Sequence, residues 1–137
     1  MKVFFDSSAI AKRYIDEKGS DEVEKICRQT NVLSVCIICI PEIISALNRL
    51  RREKKLRKGQ YEKVKDSLIY DLRDADFYNL TPQVVNHSIQ LLEKYALRAM
   101  DSLHIACALV NQPDLFVSSD QKQIAAAKKA GLKIRLV

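Results

Sequence analysis

The chain has 137 residues, 47% of them apolar, and 23 basic against 17 acidic side chains leave a net charge of +6 at pH 7. That length and apolar content suit one domain spanning 1–137 with its own buried core, and they exclude a disordered chain. The basic excess favours a polyanionic partner, with nucleic acid ahead of a membrane surface.

Lys2 to Phe5 reads as a strand, followed by a helix begun by serine and running through about Ile15. Asp6 and Ser7 interrupt the opening apolar stretch long before a secretory h-region could form. Asp21 to Gln29 reads as a second helix and Val32 to about Ile38 as a second strand. The longest apolar run, Val35 to Ile40, is far too short to span a bilayer, so a soluble cytoplasmic protein with no membrane partner is expected. Pro41 opens a long helix, with Ile40, Ile43, Ile44 and Leu47 on one stripe of a 3.6-residue period. Gly59 is read as its end, and a mixed-charge helix follows to about Asp74. Phe77 to Leu80 suggests a short strand. Thr81-Pro82 starts another helix, with Val85, Ile89 and Leu92 assigned to its buried side. Asp101 opens the next, carrying Leu103, Ala106, Cys107 and Val110 on its stripe. Leu115 to Ser118 is a clear strand, Asp120 begins a helix to Lys129, Gly131 stops it, and Leu132 to Val137 is the last strand. Strands separated by helices, with no hairpin signal, indicate an α/β domain whose parallel sheet is sandwiched by helices.

Of the four cysteines, Cys36 and Cys39 have the spacing of a zinc half-site, but no second pair at zinc-like spacing accompanies them. Reduced core residues are the expected reading.

In open parallel sheets, ligands bind beyond the carboxyl ends of the strands, where helices begin. Asp6 falls at the end of the first strand and Asp120 just past the strand ending at Ser118. Glu42 and Asp101 lie in the first turns of helices, so all four acids can face one rim. Each alone also suits helix capping or the helix dipole; Asp120 with Gln123 and Ser118 with Gln121 have capping-box spacing. Together they ask for more, because carboxylates gathered in apolar surroundings repel one another unless a cation neutralises them. Magnesium or manganese prefers such all-oxygen ligation, and a site of this kind can drive phosphodiester hydrolysis.

Four blocks carry a family resemblance: Phe5-Asp6-Ser7-Ser8-Ala9-Ile10-Ala11-Lys12, Pro41-Glu42-Ile43-Ile44-Ser45-Ala46-Leu47, Asp101-Ser102-Leu103-His104-Ile105-Ala106-Cys107-Ala108-Leu109 and Val117-Ser118-Ser119-Asp120. In order and spacing the chain resembles the PIN-domain ribonucleases, and within them the VapC-type toxins of toxin–antitoxin pairs. The resemblance implies a three-layer α/β/α fold and a metal-dependent endoribonuclease whose metal ligands are Asp6, Glu42, Asp101 and Asp120. It implies supporting hydroxyls at Ser8 and Ser118, where many relatives carry Thr at the latter position. It also implies RNA as substrate, a Mg²⁺ or Mn²⁺ cofactor, a homodimer and a small antitoxin whose tail blocks the acidic groove. His104, three residues after Asp101, has readings as general acid, partner of the acids or packing residue, and packing is the expectation.

Seven cations stand in the ten positions from Arg49 to Lys58. They suit either a solvated helix end or a phosphate-binding stripe, with Arg49 and Arg52 as candidates for RNA contact and Lys12 as a better-placed one. A phosphoacceptor receiver module is disfavoured, because Asp6 stands without a second acid at the end of the first strand. The alternatives that stay open are a PIN nuclease of RNA processing without an antitoxin and a non-catalytic RNA- or protein-binding scaffold.

Overall fold

The computed structural model describes residues 1–137. Five strands, β1 (Lys2–Phe5), β2 (Val32–Cys36), β3 (Asp76–Tyr78), β4 (Leu115–Ser118) and β5 (Ile134–Leu136), form one sheet in the order β3-β2-β1-β4-β5. Every neighbouring pair is parallel, and β1 in the middle sets Phe5 opposite both Val35 and Val117.

Seven helices cover the two faces: α1 (Ser7–Ala11), α2 (Ser20–Arg28), α3 (Cys39–Arg52), α4 (Lys58–Leu72), α5 (Pro82–Lys94), α6 (Ala99–Asn111) and α7 (Gln121–Lys129). Strand side chains alternate between faces, and a sheet buried on both sides therefore needs apolar residues at every inner position. Val3, Phe5, Val35 and Val117 pack with α1 to α4, while Phe4, Cys36 and Phe116 pack with α5 to α7. The result is the expected α/β/α layering.

Cys36 and Cys39 fall into different cores, on opposite faces of the sheet. Cys36 instead meets Cys107 of α6, the sulfurs 3.4 Å apart. The thiol bond from Cys107 holds the Cys36 pKa down at about 7, against the effect of burial. No helix is long and apolar enough to cross a membrane.

Several boundaries differ from the sequence reading, each for a local reason. The first helix stops at Ala11, not Ile15; Tyr14 and Ile15 keep the apolar pattern going because they pack on the core from a turn. The third helix starts at Cys39, so Pro41 sits in its first turn, where backbone N–H groups lack intrahelical acceptors. Gly59 ends nothing. It lies inside α4, and the reversal after α3 is made by Lys54 in the left-handed region at φ 58°. Asp101 is the third residue of α6 rather than its opener, with Arg98 at the N-cap.

The largest correction concerns α5. Its buried side is Val84, Ser88 and Leu91, whereas Val85, Ile89 and Leu92 are exposed at 42%, 48% and 40%. The two stripes are one residue apart, and the polar Ser88 disguises the real one. Its hydroxyl is satisfied by Ser102 on α6, the oxygens 2.7 Å apart. This register yields a sharp contrast: Leu91→Ala should cost about 2–4 kcal/mol and Leu92→Ala under about 1 kcal/mol in urea unfolding. Equal losses would mean that α5 is rotated.

Candidate active site

From β1 the chain builds outward through β2 and β3, then returns to lay β4 and β5 on the other side. The sheet's switch point is thus the crevice at the carboxyl ends of β1 and β4, the position that favours ligand sites in such folds. Asp6 lies at that point. Its backbone N–H donates to the Val117 carbonyl at 3.0 Å, continuing the β1–β4 pairing one step beyond the strands.

The Asp6 side chain is only 3% exposed. Oδ1 caps α1 by accepting the Ala9 N–H at 2.8 Å, Ser8 Oγ donates from 2.8 Å, and Ser118 Oγ is 2.7 Å from Oδ2. Burial pushes the Asp6 pKa above the ordinary carboxylate value; His104 and the hydrogen bonds from Ser118, Ala9 and Ser8 offset this only in part. Ser118 has one hydroxyl hydrogen, accepts the Asp120 N–H at 3.0 Å and also stands 2.9 Å from Gln123 Oε1. That one hydrogen is offered to two acceptors, Asp6 Oδ2 and Gln123 Oε1.

Glu42, in the first turn of α3, is half-buried and faces this group. Its Oε1 accepts from Ser7 Oγ at 2.7 Å and lies 2.5 Å from His104 Nε2. His104 is therefore more than a packing residue, since it reaches from α6 to pin a carboxylate on α3. Burial works against the charge on both partners. The Glu42 bond and the nearby Asp6 charge nevertheless hold His104 above the usual histidine range, and His104, Ser7 and Arg98 hold Glu42 below the usual carboxylate range.

Asp101 and Asp120 complete the rim. Asp101 Oδ2 accepts from Arg98 Nε at 3.2 Å, and Asp120 Oδ1 caps α7 through the Gln123 N–H at 2.9 Å. Gln123 does not return its side chain to Asp120 as a capping box would. It is fully buried and bridges Ser118 to the Asp101 carbonyl at 3.1 Å.

The rim suits a hard cation by donor chemistry. Glu42, Asp101 and Asp120 each use one oxygen on the protein, leaving the other without a protein partner. As they stand, however, no three His, Cys, Asp or Glu side chains form a group closed enough to hold an ion. The side chains that bond to these acids from α6 are His104 and Arg98.

Ser8 and Ser118 stand beside Asp6, as expected. Arg49 and Arg52 are exposed at the end of α3, roughly 10–15 Å along the helix from Glu42. Lys12 is not brought to the acids: its ammonium donates to the Lys18 carbonyl at 2.5 Å and pairs with Glu17 at 3.8 Å. Three participants, Ser7, Arg98 and Gln123, escaped the sequence reading. Adjacency to Asp6 could have pointed to Ser7, and a position three residues before Asp101 to Arg98. Gln123 carried no signal beyond its spacing from Asp120.

The sequence model of the PIN domain family matches residues 3–129. Two curated Mycobacterium tuberculosis proteins, ribonuclease VapC45 and ribonuclease VapC49, are each 28% identical over 96% of this chain and 93% of their own length. Among solved structures, FitAcB from Neisseria gonorrhoeae superposes with a TM-score of 0.75 at 13% identity, covering 96% of this chain and 95% of that one. VapC20 of M. tuberculosis, titled a sarcin–ricin loop cleaving toxin, gives 0.70 at 12% identity with 95% of each chain covered. At such identities the structural likeness establishes the fold alone.

Two outcomes follow from the charge balance. Asp6→Asn should raise the melting temperature of the metal-free protein by about 3–8 °C, the shift given by about 1–2 kcal/mol, because the amide keeps the bonds of a neutral acid without its buried charge. A lower melting temperature would contradict this. The raised His104 pKa stabilises fully below about pH 6.5, and that gain is lost as pH rises through the folded value. The lowered Glu42 pKa acts at the other end: its gain is present above the ordinary carboxylate value and lost as pH falls through the folded one. The stability difference between metal-free wild type and His104→Gln should therefore shrink as pH rises above about 6.5; a difference independent of pH would refute the ion pair.

Proposed function

The chain belongs to the PIN-domain family, and on that premise we propose that it is a metal-dependent endoribonuclease, the toxin of a VapBC-type toxin–antitoxin pair. The observation that carries the reading is that Asp6, Glu42, Asp101 and Asp120 lie along one rim at the switch point of the sheet, tied together through Ser7, His104, Ser118 and Gln123. The ribonuclease names of the two curated relatives support the activity, and they favour a cleaving protein over a silent scaffold.

The acids are the ligands, with Mg²⁺ or Mn²⁺ as the ion that their all-oxygen chemistry suits. A divalent ion bound there supplies charge neutralisation at the scissile phosphate and an activated water. Glu42, Asp101 and Asp120 would each offer it the oxygen that has no protein partner. Ser8, Ser118 and Gln123 fix the orientation of Asp6 and of the Asp101 backbone, and His104 with Ser7 does the same for Glu42. Asp120 combines its capping oxygen with a second one aimed at the rim. Arg49 and Arg52 form an outer basic stripe for the RNA backbone.

Residues 1–137 act as one domain, paired as a homodimer and working in the cytoplasm on folded RNA such as tRNA, rRNA or mRNA. A small antitoxin is the natural partner. Solved complexes of this fold, among them DNA-bound VapBC from Salmonella typhimurium, support that assignment.

RNA cleavage should vanish on chelation with EDTA and return with Mg²⁺ or Mn²⁺, and Asp6→Asn and Asp101→Asn should be at background. Ser118→Ala, which only orients a ligand, should lose about 10–100-fold. Undiminished cleavage by either aspartate variant would overturn the reading.

A further inference from the structure

Beside the acids opens a cleft of about 880 Å³, between the α5–α6 turn and the start of α7. Tyr95 and Leu97 supply apolar wall; Arg98, Asp101, Asp120 and Lys122 supply charge. The cleft therefore joins the acidic rim directly to two cations and an apolar wall. Neither Tyr95 nor Lys122 has a place in the mechanism above.

Arg98 is the distinctive residue. Its side chain is 83% exposed, and its Nε makes one bond, to Asp101 Oδ2 at 3.2 Å. The two terminal nitrogens of the guanidinium have no protein acceptor, although Asp120 and Glu42 also act on its charge. An exposed pair between residues three apart is weak and readily exchanged. Lys122, near the start of α7, makes no ion pair at all. Both α6 and α7 begin at this cleft, and their N-terminal ends add to its positive potential. Cations with unused donors, set next to carboxylates that suit a metal, are what a polyphosphate strand needs in order to approach an acidic site without being repelled.

We propose that this cleft is the subsite for the RNA strand flanking the scissile bond. Arg98 and Lys122 hold its phosphates, Tyr95 and Leu97 flank a base, and Arg98 trades Asp101 for phosphate when a divalent ion takes its place. This rests on the ribonuclease reading. It assigns Arg98 opposite effects on two ligands: it competes with the metal in the absence of RNA, and it favours RNA. A surface pair of purely structural value would affect neither.

The test compares wild type with Arg98→Ala, Arg98→Lys, Lys122→Ala and, as a charge control on the outer surface of α2, Lys25→Ala. Mn²⁺ binding to the metal-free proteins is measured by titration calorimetry. Arg98→Ala should bind about 3–10-fold tighter than wild type, with Arg98→Lys between them. A fluorescein-labelled 12-nucleotide RNA of mixed sequence is then titrated by anisotropy against the same variants on the non-cleaving Asp6→Asn background. Arg98→Ala and Lys122→Ala should each bind about 5–10-fold more weakly and lower the salt slope by about 0.7, the share of one single-strand phosphate contact. Lys25→Ala should match its parent in both. Unchanged Mn²⁺ affinity in Arg98→Ala overturns the exchange. RNA affinity in Arg98→Ala and Lys122→Ala equal to that of Lys25→Ala, while wild type still cleaves RNA, overturns the subsite alone. A wild type that neither binds nor cleaves RNA overturns the subsite together with the ribonuclease reading.

Discussion

A carboxylate shut away from water at the end of the middle strand sets the terms for everything around it. Asp6 sits where β1, flanked by β2 and β4, runs out into α1, and the packing that buries the strand buries the acid too. A lone charge there is costly, so the protein surrounds it with donors: the Ala9 N–H and the Ser8 and Ser118 hydroxyls. These donors do not fully compensate for burial. The residual tension makes the site receptive to protons and to cations alike.

The rest of the rim resolves the same tension with borrowed positive charge. His104 crosses from α6 to Glu42, and Arg98 leans from the α6 N-cap onto Asp101. Both cations hold acids in position without consuming their second oxygens. Capping and ligation are thus compatible roles, not rivals. Asp6 caps α1 and Asp120 caps α7, and fixing one oxygen on a backbone N–H orients the carboxylate for whatever its remaining lone pairs receive.

Much of this was legible in the sequence because it rests on local rules. The strand Leu115–Ser118, the parallel sheet, the N-caps at Thr81 and Asp120 and the Gly131 stop follow from periodicity and capping chemistry, and the structure reproduces them. The four acids could be placed on one rim because each lies at a strand's end or in the first turn of a helix. What escaped depends on contacts between distant segments. The core stripe of α5 was hidden by Ser88, whose partner Ser102 lies on the next helix. Gln123 looked like a capping residue until β4 and α6 came together around it, and His104 looked like packing until α3 supplied Glu42. Lys12 turns away from the acids for the converse reason, since its own neighbours Glu17 and Lys18 hold its ammonium.

On the proposed reading, this rim exchanges Arg98 for a divalent metal. Anomalous diffraction at the manganese edge, from crystals equilibrated with MnCl₂, addresses it most directly. A manganese peak is expected at the carboxyl end of β1 beside Asp6, with Arg98 withdrawn from Asp101. A saturated crystal with its only manganese elsewhere, from a preparation that still cleaves RNA, would contradict it.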